Sequence, residues 1–274
     1  MGKRLKGVTL TRQRNWYVAH RESIERDELI YEPFWRTEDI PSFGVKTKIP
    51  HFEIPYRIVH LLSQNELWAY LELIRNPLVI EVYEQYALPL EETLASAEFL
   101  GVKHPVYPGT KTPIIQTIDF MCDMYDLETG SSYQAAFPVK QPEDAMRYRT
   151  AEKLALQEAY CVTKGIHYEL LLSDKLRTVK SVSLECLYRH RKLPMHYARV
   201  ADRWLPNFFG CLFDDRHART AHLVDRASNA TGVKYETGVT IFYNALWHKK
   251  IEMNWLKPLK LEMAASDLGL YPNV

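Results

Sequence analysis

Residues 114–140 read IIQTIDFMCDMY, then the polar turn DLETGSS, then YQAAFPVK. Two β-like segments around a turn that holds Gly130 form the pattern of a hairpin. Period-two spacing puts Ile118, Phe120 and Cys122 on one face of the first strand, and Ala135, Phe137 and Val139 on one face of the second. Bringing those faces to one core pairs Phe120 with Val139 and Cys122 with Phe137. Asp119 then lies across from Lys140 on the opposite face. Directly opposed side chains have Cβ atoms about 4.5–5.5 Å apart. A carboxylate and an ammonium side by side at a hairpin end can hold a metal and steady a phosphate.

The flanking elements extend this hairpin into a layer. SQNELWAYLELIR reads as a helix with Ser63 as N-cap and Leu67, Tyr70, Leu71 and Ile74 as its apolar stripe. Glu66 follows Ser63 by three residues, the spacing of a capping box in which Glu66 bonds back to the Ser63 backbone. Spacing alone favours that role over a catalytic one. Asn76-Pro77 ends the helix, Leu78–Leu88 alternates as a strand, and Pro89-Leu90-Glu91-Glu92 opens a short helix to about Leu100. After Lys140, Pro142-Glu143-Asp144 opens a helix that stops at Gly165, with proline and acids in its first turn. Ala151, Ala155, Ala159 and Val162 are read as its inner face. IHYELLLSD is the next strand. The order helix, strand, hairpin, helix, strand predicts an α/β fold, a mixed sheet flanked by helices.

Three segments are expected. Residues 1–36 read as a basic arm: Lys3, Arg4, Lys6, Arg12 and Arg14 precede Trp16 and Tyr17, a composition suited to a phosphate backbone or to a docked terminus. Residues 37–174 hold the α/β core. Residues 175–274 are mainly helical with a β-like tail, IEMNWLKPLKLEM, and suggest a winged-helix-like module. This last part has nearly twice as many Lys/Arg as Asp/Glu, an excess hidden by a whole-chain net charge of +1. Hydrophobic content of 46% with 25% charged residues indicates a soluble globular protein. No apolar run reaches the ~20 residues of a membrane span. Cys122, Cys161, Cys186 and Cys211 form neither a CxxC pattern nor a disulfide frame, so a reducing, cytoplasmic setting is expected. No phosphate-binding GxxxxGK[ST] loop, GxGxxG turn or GxSxG elbow is present.

Hydrolysing a phosphodiester requires an activated water, neutralisation of charge on the phosphoryl oxygens, and a stabilised leaving oxygen. Mg²⁺ held by carboxylates supplies all three, and a neighbouring lysine orients water or stabilises developing charge. Asp119 is the expected central ligand, the Val139 carbonyl a second, Lys140 the ammonium, and Glu66 the completing carboxylate. Alone, an Asp and a Lys at hairpin ends match an exposed salt bridge worth about 0–1 kcal/mol equally well.

The order of elements resembles the restriction-endonuclease-like core, written PD…(D/E)xK. Five ordered segments are similar to the TnsA family: His60-Leu61-Leu62-Ser63…Glu66; Val79 to Tyr86; Gly101-Val102-Lys103-His104-Pro105-Val106; Thr117-Ile118-Asp119-Phe120; and Pro138-Val139-Lys140. Ile40-Pro41-Ser42-Phe43-Gly44 also fits. The resemblance covers roughly Glu38 to Lys175. It implies Glu66, Asp119 and Lys140 as the catalytic set, and Glu66, Asp119 and Val139 as ligands of Mg²⁺, with Mn²⁺ as a substitute. It implies cleavage of double-stranded DNA at the 5′ transposon ends. A DDE transposase would cut the 3′ ends, and an AAA+ regulator ATPase would be a further partner. The C-terminal part would contact these proteins or flanking DNA.

Pro138 departs from the Glu or Gln usual two residues before the lysine, and offers no side-chain ligand. It motivates one alternative, a catalytically weak DNA- or ATPase-binding adaptor; a stand-alone nuclease of the same core is another. Elsewhere, Tyr188-Arg189-His190-Arg191-Lys192 is a basic run, read as a solvated helix end. TGVTIFYNALWHKK is a candidate recognition helix with Thr240, Tyr243, Asn244, Trp247 and Lys250 on related faces and Ile241, Ala245 and Leu246 as core residues, its exposed face suited equally to DNA or protein.

Overall fold

The computed structural model describes residues 8–26, 31–40, 44–54 and 56–273. The chain divides into two compact units, one ending at Leu176 and one starting at Arg177. The first runs α1 (Leu10–Arg26), β1 (Thr47–Pro50), β2 (Ile58–Leu61), α2 (Gln64–Leu73), β3 (Val79–Ala87), α3 (Leu90–Leu100), β4 (Thr117–Tyr125), β5 (Ser132–Phe137), β6 (Val139–Lys140), α4 (Pro142–Ala145), α5 (Tyr148–Lys164), β7 (His167–Tyr168), β8 (Leu171–Leu172) and α6 (Ser173–Leu176). The central sheet has the order β3-β4-β5-β7. The pairs β3–β4 and β4–β5 are antiparallel and β5–β7 is parallel, so the sheet is mixed as predicted. Ile118, Phe120, Met121 and Cys122 are all fully buried, so β4 is covered on both faces.

The hairpin forms, but its register differs from the expected one by two residues. Phe120 pairs with Phe137 and Cys122 with Ala135. Asp126 sets this register: its N–H donates to Ser131 O (2.8 Å), and its carboxylate accepts from Glu128 N and Thr129 Oγ1. Pro138 then ends the ladder because it has no N–H to give. Val139 and Lys140 restart as β6, paired in parallel with β8. A slip of two, unlike a slip of one, leaves every side chain on its intended face.

Two other expectations fail in instructive ways. The buried residues of α5 are Leu154, Leu156, Gln157, Tyr160 and Cys161, while Val162 is 71% exposed. The alanine stripe was the wrong guide, because the larger Leu and Tyr side chains bury more area. The basic arm, from Leu10 on, is a helix built into the first unit; Lys3, Arg4 and Lys6 lie outside the described residues. Gln13 is fully buried, donating to Pro113 O (2.8 Å) and accepting from Ile115 N and Tyr107 Oη (both 3.1 Å). Trp16 packs edge-on against Trp35, and Arg14 pairs with Glu91. The inner stripe of α1 is polar and aromatic, so a hydropathy pattern does not reveal it.

His20, on the same stripe, donates from Nδ1 to Glu32 O (2.8 Å) and accepts at Nε2 from Ala87 N (3.1 Å). Burial lowers its pKa to about 4. Below the ordinary histidine pKa the unfolded chain takes up a proton that the folded chain refuses. Stability is therefore present above pH 6.5 and lost as pH falls toward 4, by about 3 kcal/mol at this one site. Urea titrations at pH 7.5 and 4.5 should show this loss, and His20→Phe should make it smaller.

A buried charge cluster fastens the β1–β2 hairpin to β3. Arg57 donates from Nη1 to Glu81 Oε1 (3.0 Å) and from Nη2 to Glu84 Oε2 (3.0 Å) and Val82 O (2.7 Å). Its guanidinium lies over the Tyr31 ring, 4.7 Å from the centroid. His51 Nε2 also meets Glu81 Oε1 at 3.0 Å.

The second unit comprises α7 (Val179–Tyr188), α8 (Met195–Asp214), α9 (Thr220–Thr231), α10 (Tyr235–Trp247), β9 (Ile251–Glu252), α11 (Ala265–Leu268) and β10 (Tyr271–Pro272). Trp204 stacks on Phe208, which meets Phe242 of α10. In the candidate recognition helix α10, Ile241, Ala245 and Leu246 are core as expected, and Phe242, Asn244 and Trp247 are buried with them, so Asn244 and Trp247 leave the candidate face. The predicted β tail is reduced to β9, which pairs antiparallel with β10. A Cβ at Gly238 would meet Ser228 Oγ, the acceptor of the Trp204 indole N–H, at 2.0 Å. Gly238→Ala is expected to destabilise by about 1–3 kcal/mol, measurable by denaturant unfolding. No helix among the described residues is long and apolar enough to cross a membrane.

Candidate active site

The site begins where the β4–β5 ladder stops. One further step in the observed register sets Asp119 opposite Pro138. Pro138 has no N–H, so the chain leaves β4 there and the next N–H, that of Val139, meets a side chain instead. It donates to Asp119 Oδ2 at 2.7 Å. Lys140 Nζ donates to the same Oδ2 and to its neighbour's carbonyl, Val139 O, both at 2.8 Å. The proline therefore shapes the site through the backbone rather than by offering a ligand. The Asp119 side chain is 15% exposed and that of Lys140 31%.

Glu66 sits in the first turn of α2. Ser63 caps this helix, its Oγ accepting from Glu66 N at 3.2 Å. The return half of the capping box differs from expectation: Glu66 Oε2 accepts from Leu62 N (2.8 Å), one residue before Ser63, and Oε1 from the Ser63 hydroxyl (3.0 Å). Gln85 Nε2 donates to Oε2 at 3.3 Å. Glu66 thus secures its helix and also faces the hairpin end electrostatically. Burial first, and then the Asp119 charge, push its pKa up to about 7, against the pull of Leu62 N, Ser63 and Lys140. Burial by itself would lower the Lys140 pKa, but the Asp119 charge and hydrogen bond, with Glu66, raise it above the ordinary lysine value. Lys140 is a firmly charged ammonium set among two acids.

Gln85 had no assigned role in the sequence. It is 2% exposed and lies opposite Asp119 in the β3–β4 register. Its backbone has φ +51°, a left-handed conformation that costs a non-glycine residue about 1–3 kcal/mol. Its amide spans the site, donating to Glu66 while its oxygen accepts from Thr117 Oγ1 at 3.3 Å. A glutamine inside an alternating strand carries no sequence signal for this placement.

The oxygens suit a hard cation. Asp119 Oδ2 and Val139 O already hold one positive charge, the Lys140 ammonium. The Glu66 and Asp119 carboxylates repel each other, which is the condition a divalent ion relieves. Among the described residues no group of three or more His, Cys, Asp or Glu gathers, so a carbonyl and water must supply the remaining ligands.

A mixed sheet between helices, with a strand-borne aspartate bonded to the lysine that follows the hairpin, defines a restriction-endonuclease-like nuclease domain. The comparisons with known proteins agree. Residues 76–173 match the family described as TnsA-like endonuclease N terminal. The chain is also 31% identical over 158 residues to the transposon Tn7 transposition protein TnsA of Escherichia coli, covering 58% of this chain and 56% of that protein. Residues 76–173 thus resemble a TnsA-like endonuclease N-terminal domain, and the wider similarity to TnsA covers little more than half of the chain. Asp119 and Lys140 fall inside the matched domain, and Glu66 precedes it. The alignment spans little more than half of that relative's length.

Proposed function

We propose that this chain hydrolyses phosphodiester bonds of double-stranded DNA at the 5′ ends of a transposon, using Mg²⁺ or, in substitution, Mn²⁺. The observation that carries the proposal is the knot of Lys140 Nζ, Asp119 Oδ2 and Val139 O beside buried Glu66. Asp119, Glu66 and the Val139 carbonyl would hold the ion, which supplies water activation and charge neutralisation when bound. Lys140 would donate N–H hydrogen bonds from its ammonium to the phosphoryl oxygens or to the attacking water, and Gln85 keeps the Glu66 carboxylate in place. The partners proposed are a DDE transposase that processes the 3′ ends and an AAA+ regulator ATPase, with the second unit as the part that meets them or flanking DNA.

The test is strand cleavage on an end-bearing duplex, with and without Mg²⁺ and with and without the transposase, for wild type and Asp119→Asn. Cleavage that needs both additions and fails in the variant is the expected result. Cutting without any partner would favour a stand-alone nuclease. No cutting under any condition would favour an adaptor, the reading Pro138 motivates. Independently of activity, Mg²⁺ at pH 8 should raise the melting temperature of wild type and leave Asp119→Asn unchanged, because only the folded site binds the ion.

A further inference from the structure

The second unit holds an open cavity of about 680 Å³, of mixed polar and apolar lining, that the nuclease site does not use. Three permanent cations line it: Arg191 from the turn after α7, Arg199 from the start of α8, and Lys250 just before β9. His248 and Asn244, from the end of α10, join them, and Asp202 is the single acid.

We propose that this cavity binds a phosphate oxyanion, and that the phosphate belongs to the backbone of DNA. The source rests on the endonuclease reading above; the anion chemistry rests on the cavity alone. Arg199 and Lys250 have no carboxylate partner among the described residues, so their charges are available to a ligand. Arg191 Nε is itself buried and has no hydrogen-bond partner, so the guanidinium is sunk into the cavity wall rather than free at the surface. The Arg191 guanidinium is held in place by stacking on Tyr188, 4.3 Å from the ring centroid, and by donating from Nη1 to Tyr188 O.

The turn that carries Arg191 is built rather than loose. Asn244 Nδ2 donates to His190 O (2.8 Å) and Arg191 O (3.1 Å), and His248 Nε2 meets Arg191 O at 2.6 Å. The last carbonyls of α10 do not compete for the cations. Asn244 O, Ala245 O and Leu246 O already accept from the N–H groups of His248, Lys250 and Lys249. The basic run Tyr188 to Lys192, read in the sequence as a solvated helix end, is thereby half turned into a wall. A cavity lined by three cations and by no Phe, Tyr or Trp for a base to stack on suits a phosphate better than a nucleobase. Fixed cations in a concavity also concentrate an anion more than the same charges on a convex surface.

The experiment uses the full chain in EDTA, so that no cleavage occurs, and a linear duplex titrated over a range of salt. Each phosphate contact adds about 0.9 to the slope of log K against log salt. Arg199→Gln with Lys250→Gln is expected to lower that slope by about 2, and binding at 0.1 M salt by about tenfold or more. Lys257→Gln with Lys260→Gln, which removes equal charge from the same unit outside the cavity, should change neither. An equal drop in the control pair would overturn the proposal in favour of general attraction. In a second arm, inorganic phosphate at constant ionic strength should raise the melting temperature of wild type and not of the cavity variant. If only that arm responds, the anion site stands and the source is a free phosphate compound; if neither responds, the site is rejected. The titration is run without cleavage, so failure of the nuclease assignment would leave this result unaffected.

Discussion

Lys140→Ala is expected to reduce strand cleavage by about 10²–10⁴-fold while the protein stays folded. The two effects separate because of where the lysine sits. Among the described residues its ammonium is the one side-chain cation bonded to Asp119, and it bridges to the Val139 carbonyl. Removing it takes away the group that meets developing charge, and Asp119 Oδ2 keeps the Val139 N–H. With the Lys140 side chain about a third exposed, the stability lost is small, about 1 kcal/mol. Lys140→Arg tests geometry apart from charge: a planar fork does not reproduce two bonds from one nitrogen, so it should rescue little. Single-turnover cleavage and urea unfolding on the same samples check both statements. Wild-type cleavage by Lys140→Ala would remove this residue from the mechanism.

The second large effect is on stability. Arg57→Met is expected to destabilise the first unit by about 3–5 kcal/mol, because it strands two carboxylates in the interior. Glu81 and Glu84 are 5% and 0% exposed, and Arg57 is the cation that both share. Burial raises the Glu84 pKa even with Arg57 beside it. Without the guanidinium, Glu84 must take up a proton or leave the core. The triple variant Arg57→Met, Glu81→Gln, Glu84→Gln should recover much of the loss, since no charge then remains to be desolvated. Denaturant midpoints of the single and triple variants decide this. A triple variant no more stable than the single one would mean that the packing of Arg57, not its charge, holds the hairpin to β3.

Much of the core could be read from the chain because local rules and tertiary structure agree there. Ser63 caps α2, Gly165 stops α5 in a left-handed turn, and the Gly130 turn joins β4 to β5. Asp119 and Lys140 were placed side by side from a register two residues away from the real one. The inference survived because a two-residue slip conserves faces. What stayed hidden depends on partners far away in sequence. Nothing local marks Glu81 and Glu84 as buried; Arg57, more than twenty residues earlier, supplies the charge that makes their burial tolerable. The inner stripe of α1 is Gln13, Trp16, Tyr17 and His20, whose burial is made tolerable by hydrogen bonds to distant backbone groups. Gln85 joins the site through an unusual φ that no local pattern signals. In α10, Asn244 and Trp247 of the expected recognition face turn inward, because the unit needs that helix for its core, while Thr240 and Tyr243 stay partly exposed.

Anomalous scattering from crystals soaked in Mn²⁺ tests the central assignment most directly. A manganese peak held jointly by Glu66, Asp119 and the Val139 carbonyl, with Lys140 displaced from at least one of its two oxygens, is the predicted result. A saturating soak that leaves Lys140 bridging Asp119 and Val139, with manganese bound elsewhere or not at all, would contradict it.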